Sequence, residues 1–407
     1  MSAYASSLAL HPMQRFYRLL PARPRRRAFT EATSLVAPRP DREPPQALHG
    51  VAVAGDLGGI TGLGEGARLM LRGLRGLGLA AWPIDVMGPR SALPPPGVPI
   101  VVHVNAPMLG YTLLRQRRAL LRGRRVVGYW AWELPTMPPD WHAGLPFVHE
   151  IWVPSLFAAA AIETIAPGQV RVVPPPLGLL PPVAAPLDRS AFGLPDTAVI
   201  VLVAFNLASS FERKNPLASI AAFRAAFGDR MDRLLLLKVG NPEHFPCDFA
   251  AIRAAVAGVP NIRIETRVLP AADHAALMAA CDIVMSLHRS EGLGLVPAEA
   301  MLLGKPVIAT GWSGNMEFMD AESAALVGYR LVQACDARRV YDVPGAVWAE
   351  PDKGEAMAQL RRLADDVEQR VALGACARRA VTGRLGAGKL ADAVRGLGLS
   401  VGYSMAA

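Results

Sequence analysis

Cysteine is scarce in this 407-residue chain, and its four copies lie far apart. Cys247, Cys281, Cys335 and Cys376 form no C-x-x-C, and no histidine pair stands at metal spacing. That argues against a disulfide framework and a structural metal, and buried free thiols are expected. Charged residues amount to only 19% against 52% hydrophobic, a composition that excludes a disordered chain. Long apolar runs are also missing. The best, Val199 to Phe205, has strand length and falls well short of the roughly 18–20 residues that span a bilayer. At the N-terminus the arginines follow the short apolar stretch, which is not a signal peptide's order of parts, so a cytoplasmic location is expected.

What is present points to two cores, because a chain of this length exceeds one ordinary domain. The net charge of +9 resembles a nucleic-acid signal until it is located. Residues 1–45 hold Arg15, Arg18, Arg23, Arg25, Arg26, Arg27, Arg39 and Arg42 against Glu31, Asp41 and Glu43, so five of the nine charges lie there. With no nucleic-acid motif beside it, residues 1–47 read as a flexible Pro- and Arg-rich tail, and no nucleic-acid partner is expected.

From Leu48 the pattern alternates between strand and helix. Val51–Ala54, Ile100–Val104, Arg125–Tyr129 and Ile151–Pro154 read as strands separated by helix-length segments. Val173–Leu187 carries six prolines in fifteen residues and reads as a stiff linker. The alternation then restarts with Val199–Phe205, Leu234–Val239, Ile262–Thr266, Ile283–Leu287 and Val307–Thr310 as strands. The expected fold is α/β, with two Rossmann-like domains whose parallel sheets face a central cleft. The boundaries read as 48–185 for the first domain, 186–375 for the second, and 376–407 for C-terminal helices that can pack back on the first.

The most informative segment runs from His288 through Glu291-Gly292-Leu293-Gly294-Leu295 to Glu299, at the carboxyl end of a predicted strand and into a helix. Ligands of open α/β sheets bind in that position. Gly292 and Gly294 let backbone amides approach an anion, Pro297 fits a first helical turn, and the helix N-terminus favours negative charge. Glu291 and Glu299 suit hydroxyls rather than phosphate. Before it, Phe211-Glu212-Arg213-Lys214-Asn215-Pro216 supplies cations that can balance an anion held there.

The order Glu, seven residues, Glu, followed by Gly304-Lys305-Pro306-Val307-Ile308-Ala309-Thr310, resembles the signature of retaining GT-B glycosyltransferases of family four. Ser313-Gly314-Asn315-Met316-Glu317-Phe318-Met319 and Val347-Trp348-Ala349-Glu350-Pro351-Asp352 resemble a bacterial polysaccharide subgroup that includes mannosyltransferases. The resemblance covers about residues 199–370 well and the first half loosely. It implies that Glu291 contacts the transferred sugar, Glu299 the ribose, and the backbone of Gly292, Leu293, Gly294 and Leu295 the diphosphate. Lys214 matches the family's phosphate lysine. Many relatives carry an arginine several residues earlier, where this chain has Ala208-Ser209-Ser210, and Arg213 is the candidate replacement. No Asp-x-Asp occurs, so no metal and no cofactor beyond a nucleotide-sugar co-substrate are expected.

In the first half, Gly58 and Gly59 lie in a strand-to-helix turn that in relatives faces the donor diphosphate. Trp132 and Glu133 are acceptor-side candidates, since rings stack on sugar faces and carboxylates bind hydroxyls; core packing is the other reading of Trp132. His103 reads as structural. Tyr111 to Arg125 carries six arginines and no acid with leucines at helical spacing, and reads as a basic amphipathic helix suited equally to packing or to an anionic membrane surface. Together these imply a retaining transferase that moves a hexosyl group, mannosyl by the subgroup, to a glycan or lipid-linked acceptor in polysaccharide biosynthesis. A sugar-nucleotide epimerase or hydrolase, and a non-catalytic glycan- or membrane-binding protein of the same fold, remain open alternatives.

Overall fold

The computed structural model describes residues 22–59, 61–88, 92–341 and 343–401. Two six-stranded parallel sheets form its frame. The first is built from β1 (Val51–Gly55), β2 (Ala81–Asp85), β3 (Ile100–His103), β4 (Val126–Tyr129), β5 (Glu150–Val153) and β6 (Val170–Val172), in the order β2-β1-β3-β4-β5-β6. The second comprises β7 (Val199–Asn206), β8 (Arg233–Gly240), β9 (Ile262–Glu265), β10 (Ile283–Ser286), β11 (Val307–Thr310) and β12 (Ala325–Val327), in the order β12-β11-β10-β7-β8-β9. Helices cover both faces, which is why β1, β3, β4 and β11 are buried along their whole length and read as continuous apolar runs.

Each sheet reverses its winding once, between β1 and β3 in the first and between β7 and β10 in the second. Strand carboxyl ends splay apart at such a switch point and leave a crevice. The final helices join the two halves. Ala377 and Val381 of the helix Val367–Arg384 pack against Met301 and Leu302 of the second domain. Leu390 and Val394 of the helix Gly388–Gly396 pack against Val51, Val53 and Met70 of the first.

An antiparallel hairpin, β13 (Tyr329–Gln333) and β14 (Val347–Pro351), leaves the second sheet. Ala334, Tyr341, Val343, Ala346 and Trp348 from this hairpin and its loop join the first domain's core beside Trp132 and Trp141. It therefore fastens one domain to the other.

Three expectations are corrected. The tail over 1–47 is not free in its described part: Ala22–Val36 is a helix. Thr30, 1% exposed, donates to Pro107 O, and Ser34 donates to Ala143 O at 3.2 Å, so the helix is tied to the first domain. Arg15 and Arg18 lie outside the described residues. The segment Tyr111 to Arg125 is not one amphipathic helix. The helix Ala106–Leu114 ends at Arg115, and a single 3-10 turn follows at Arg118–Leu120. Arg124 points inward and donates to the carbonyls of Pro94, Pro95 and Val98, while Arg125 pairs with Glu150 at 3.5 Å. The cysteines are all free, but Cys247 and Cys335 are exposed and Cys281 is the buried one.

Candidate active site in the interdomain cleft

The second domain's switch point gathers the predicted cations and carboxylate. After β7 the chain makes a 3-10 turn, Leu207–Ser209, and a one-turn helix, Phe211–Lys214. Ser210 caps that turn at φ 71° and accepts from the Arg213 amide at 3.3 Å. Asn215 ends it in the left-handed region at φ 52°, a conformation asparagine tolerates, and Pro216 opens the next helix. This punctuation aims Arg213 and Lys214 at the loop that follows β10.

Glu291 lies between the two. Its Oε2 is 3.0 Å from Arg213 Nη1, and its Oε1 pairs closely with Lys214 Nζ. Burial opposes the carboxylate's charge, but Lys214 and then Arg213 outweigh it and hold Glu291 down to about 2. Arg213 is further committed to Ser290 O at 2.7 Å and Ser209 O at 2.9 Å. With 4% of its side chain exposed it organises the loop, whereas Lys214 keeps 19% exposed toward the cleft. Burial lowers the lysine's pKa, and Glu291 pulls it the other way.

The glycine loop is tightly built. The Glu291 amide donates to Ser313 Oγ at 2.8 Å, and the Gly314 amide donates to Glu291 O at 2.9 Å. A Cβ on Gly314 would collide with Gly292 O. Gly294, at φ 96°, turns the chain into the helix Leu295–Leu302 with no side-chain cap. The first-turn amides therefore stay available to an anion.

Glu299, inside that helix, faces the first domain. Burial first, and Glu65 second, raise its pKa to about 7, with Arg72 opposing. Glu65 and Arg72 belong to the helix Gly62–Gly76, which begins just after the loop holding Gly58 and Gly59. Arg68 of the same helix braces that loop, donating to Leu57 O at 2.9 Å and Gly59 O at 2.8 Å. A Cβ on Gly59 would run into the Asp56 carboxylate. The two glycine loops thus open from switch points of facing domains.

Trp132 does not offer a face to a sugar. It is 4% exposed, its Nε1 donates to Thr136 O at 3.0 Å, and its ring lies between Trp141 (5.3 Å) and Tyr341 (5.5 Å). In this structure the ring is packed in the core. Glu133 belongs instead with the cations: its Oε2 accepts from Tyr341 Oη at 3.0 Å, and Arg213 and Lys214 act on its charge. His103 is buried against Tyr129, ring centroids 4.2 Å apart.

Several residues here were given no role by the sequence, although Arg289, Ser290 and Glu350 lie within the quoted motifs. Ser155 Oγ donates to Gly292 O at 2.6 Å across the cleft, and Ser290 Oγ donates to Glu133 O. Arg289 pairs with Glu350 at 2.6 Å, tying the glycine loop to β14. Tyr341 lies between two quoted motifs in a stretch without periodicity. Among the described residues no group of three or more His, Cys, Asp and Glu side chains is arranged to hold a metal ion, and no helix is long and apolar enough to cross a membrane.

Residues 199–340, a stretch of the second domain, match the family described as Glycosyl transferases group 1. Over 171 residues the chain is 32% identical to D-inositol 3-phosphate glycosyltransferase of Stackebrandtia nassauensis. The match covers 40% of this chain and 38% of that protein, so it spans well under half of the curated relative. Among solved structures, Anabaena Alr3699/HepE in complex with UDP and glucose superposes with a TM-score of 0.60 at 13% identity, over 86% of this chain and 99% of that one. Sucrose-phosphate synthase from Thermosynechococcus elongatus gives 0.60 at 16%, over 86% and 99%. WaaG, a glycosyltransferase involved in lipopolysaccharide biosynthesis, gives 0.55 at 17%, over 85% and 100%. At such identities the likeness establishes the fold, which is GT-B.

Proposed function

We propose that this GT-B protein is a retaining, nucleotide-sugar-dependent glycosyltransferase. It moves a hexosyl group, mannosyl by the motif resemblance, to a glycan or lipid-linked glycan acceptor in polysaccharide biosynthesis. The observation that carries the reading is the meeting of Lys214, Arg213 and Glu291 at the second domain's switch point, beside an uncapped helix N-terminus and within the matched family domain.

In this mechanism the diphosphate lies against the amides of Gly292 to Leu295 and against Lys214. Negative charge grows on it as the glycosidic bond breaks, and a fixed ammonium stabilises that growth more than it stabilises the bound donor. Glu291 accepts from the sugar's hydroxyls and Glu299 from the ribose. The acceptor hydroxyl attacks the same face that the diphosphate leaves, and the diphosphate takes its proton. No carboxylate nucleophile and no metal ion is assigned a step. The retention, the hexose and the acceptor rest on the motif resemblance.

The test is a panel of UDP-, GDP-, ADP- and dTDP-linked hexoses incubated with the purified protein, with and without oligosaccharide and lipid-linked acceptors. Products are followed by mass spectrometry and their anomeric configuration by NMR. Acceptor-dependent consumption with an unchanged anomer is expected. Consumption that needs no acceptor would identify a hydrolase or epimerase, and a panel left intact would remove the enzyme reading.

A further inference from the structure

The charges at the cleft come from both domains. Glu133 follows β4 of the first sheet, and its carboxylate accepts from the phenol of Tyr341, carried by the β13–β14 loop of the second domain. Its Cγ lies 3.7 Å from where a Cβ on Gly292 would stand. The charged groups that act on it are Arg213 and Lys214 from the one-turn helix and Glu291 from the glycine loop. Arg289, two residues before Glu291, is taken by Glu350 and by Glu212 O.

Two cations therefore face two carboxylates, and the cluster is neutral in formal charge. A neutral, largely buried cluster is a poor counterpart for a diphosphate, which brings two or more negative charges into a poorly solvated space. One carboxylate must lose its charge for the cations to act on the ligand. Glu291 is the wrong candidate, since two ion pairs hold it ionised. Glu133 has a neutral phenol as its hydrogen-bond donor and sits on the wall opposite.

We propose that Glu133 takes up one proton from solvent when a nucleoside diphosphate occupies the cleft, releasing Arg213 and Lys214 to balance the anion. Tyr341 is the positioning residue, because its hydroxyl donates to the ionised carboxylate and keeps Glu133 charged until the ligand arrives. Because one partner comes from each domain, the proton step reports on the closed arrangement of the cleft. Burial already pushes the Glu133 carboxyl above its ordinary range; Arg213 opposes that, Glu291 adds to it, and Tyr341 and Lys214 oppose it. The inference rests on reading the cleft as a nucleotide-sugar site.

The experiment is titration calorimetry of the full chain with UDP, GDP and ADP in buffers of unequal ionisation enthalpy. It is run from about pH 8 to about pH 9, roughly two units above the second phosphate ionisation near 6. The native protein should take up about one proton per nucleotide and lose affinity by up to about tenfold per pH unit in that window. Glu133→Gln should abolish the uptake and flatten the profile. Tyr341→Phe, which lacks the donor to the ionised form, should raise the Glu133 pKa and move the uptake to higher pH. Nucleotide binding without proton uptake in the native chain overturns the proposal, as does uptake that survives Glu133→Gln and vanishes in Glu299→Gln or Lys214→Met. Failure of all three nucleotides to bind the native chain would sink the nucleotide-site reading itself, a different result from binding without a proton.

Discussion

Replacing Lys214 by methionine keeps the aliphatic stem and deletes one charge. In the folded chain Lys214 Nζ pairs with Glu291, and 19% of the side chain remains exposed toward the cleft. Arg213 stays on Glu291 at 3.0 Å after the change, so the carboxylate is not left unpaired. The stability loss should therefore stay below the roughly 3–5 kcal/mol that follows when a buried charge loses its partner completely. Catalysis should suffer more. A hydrogen bond from a charged donor is worth about 1.5–3 kcal/mol. At about 1.36 kcal/mol per decade of rate, losing it from the developing diphosphate slows turnover roughly ten- to hundredfold. If the bond strengthens mainly in the transition state, turnover falls more than nucleotide affinity does. The assay is consumption of a saturating nucleotide sugar with acceptor, beside a thermal melt that confirms folding and a nucleotide titration. A folded Lys214→Met protein that turns over within about twofold of the native rate would refute the role given to this ammonium.

Other consequences follow from the same geometry. Glu291, held near 2 instead of the ordinary 4.5, contributes about 3 kcal/mol of stability. That contribution is complete above pH 4.5 and is lost as the pH falls toward 2; in Glu291→Gln the acid unfolding curve should lose this dependence, and an unchanged curve would contradict the pairing. Glu299 behaves oppositely: with its pKa raised to about 7, the folded state binds the extra proton between 4.5 and 7, so stability should decline as pH rises through that interval. Glu299→Gln should flatten the decline, measured by denaturant midpoints, and Glu299→Ala should weaken nucleotide binding; unaltered affinity would take it out of the ribose site. Trp132→Ala should cost about 3–5 kcal/mol by emptying a packed aromatic site, whereas a stable variant with only a raised acceptor KM would restore the stacking platform. Gly314→Ala should lose about 1–3 kcal/mol and loosen nucleotide binding, since its Cβ meets backbone that cannot swing aside; a normal melt and normal affinity would show that the glycine loop is less rigid than its contacts indicate.

Much of the frame was legible because central parallel strands are buried on both faces and so appear as uninterrupted β-branched and leucine runs. The strand Val307–Thr310 has the predicted limits. The overlooked strands are those that sequence marks least. β2 is a partly exposed edge strand containing Pro83, β6 and β12 have three residues each, and β13 and β14 form a hairpin outside both sheets. Arginine spacing could not tell an outward face from an inward one. Arg124 is buried because three loop carbonyls need its donors, a demand created by residues 26 to 30 positions away. Trp132 misled for a similar reason, since one of its two flanking rings belongs to Tyr341 of the other domain.

The sequence alone determined the alternation that makes two sheets, the glycines that narrow each strand-to-helix turn, and the chemical types ranged along the second domain's crevice. Those follow from local rules of backbone freedom and apolar period, which a chain carries in its order of residues. Only the tertiary structure decided which charges compensate one another: Lys214 with Glu291 at 77 residues' separation, and Tyr341 with Glu133 at 208. Electrostatic pairing depends on distance and solvent access, and both are set when the two domains close on each other.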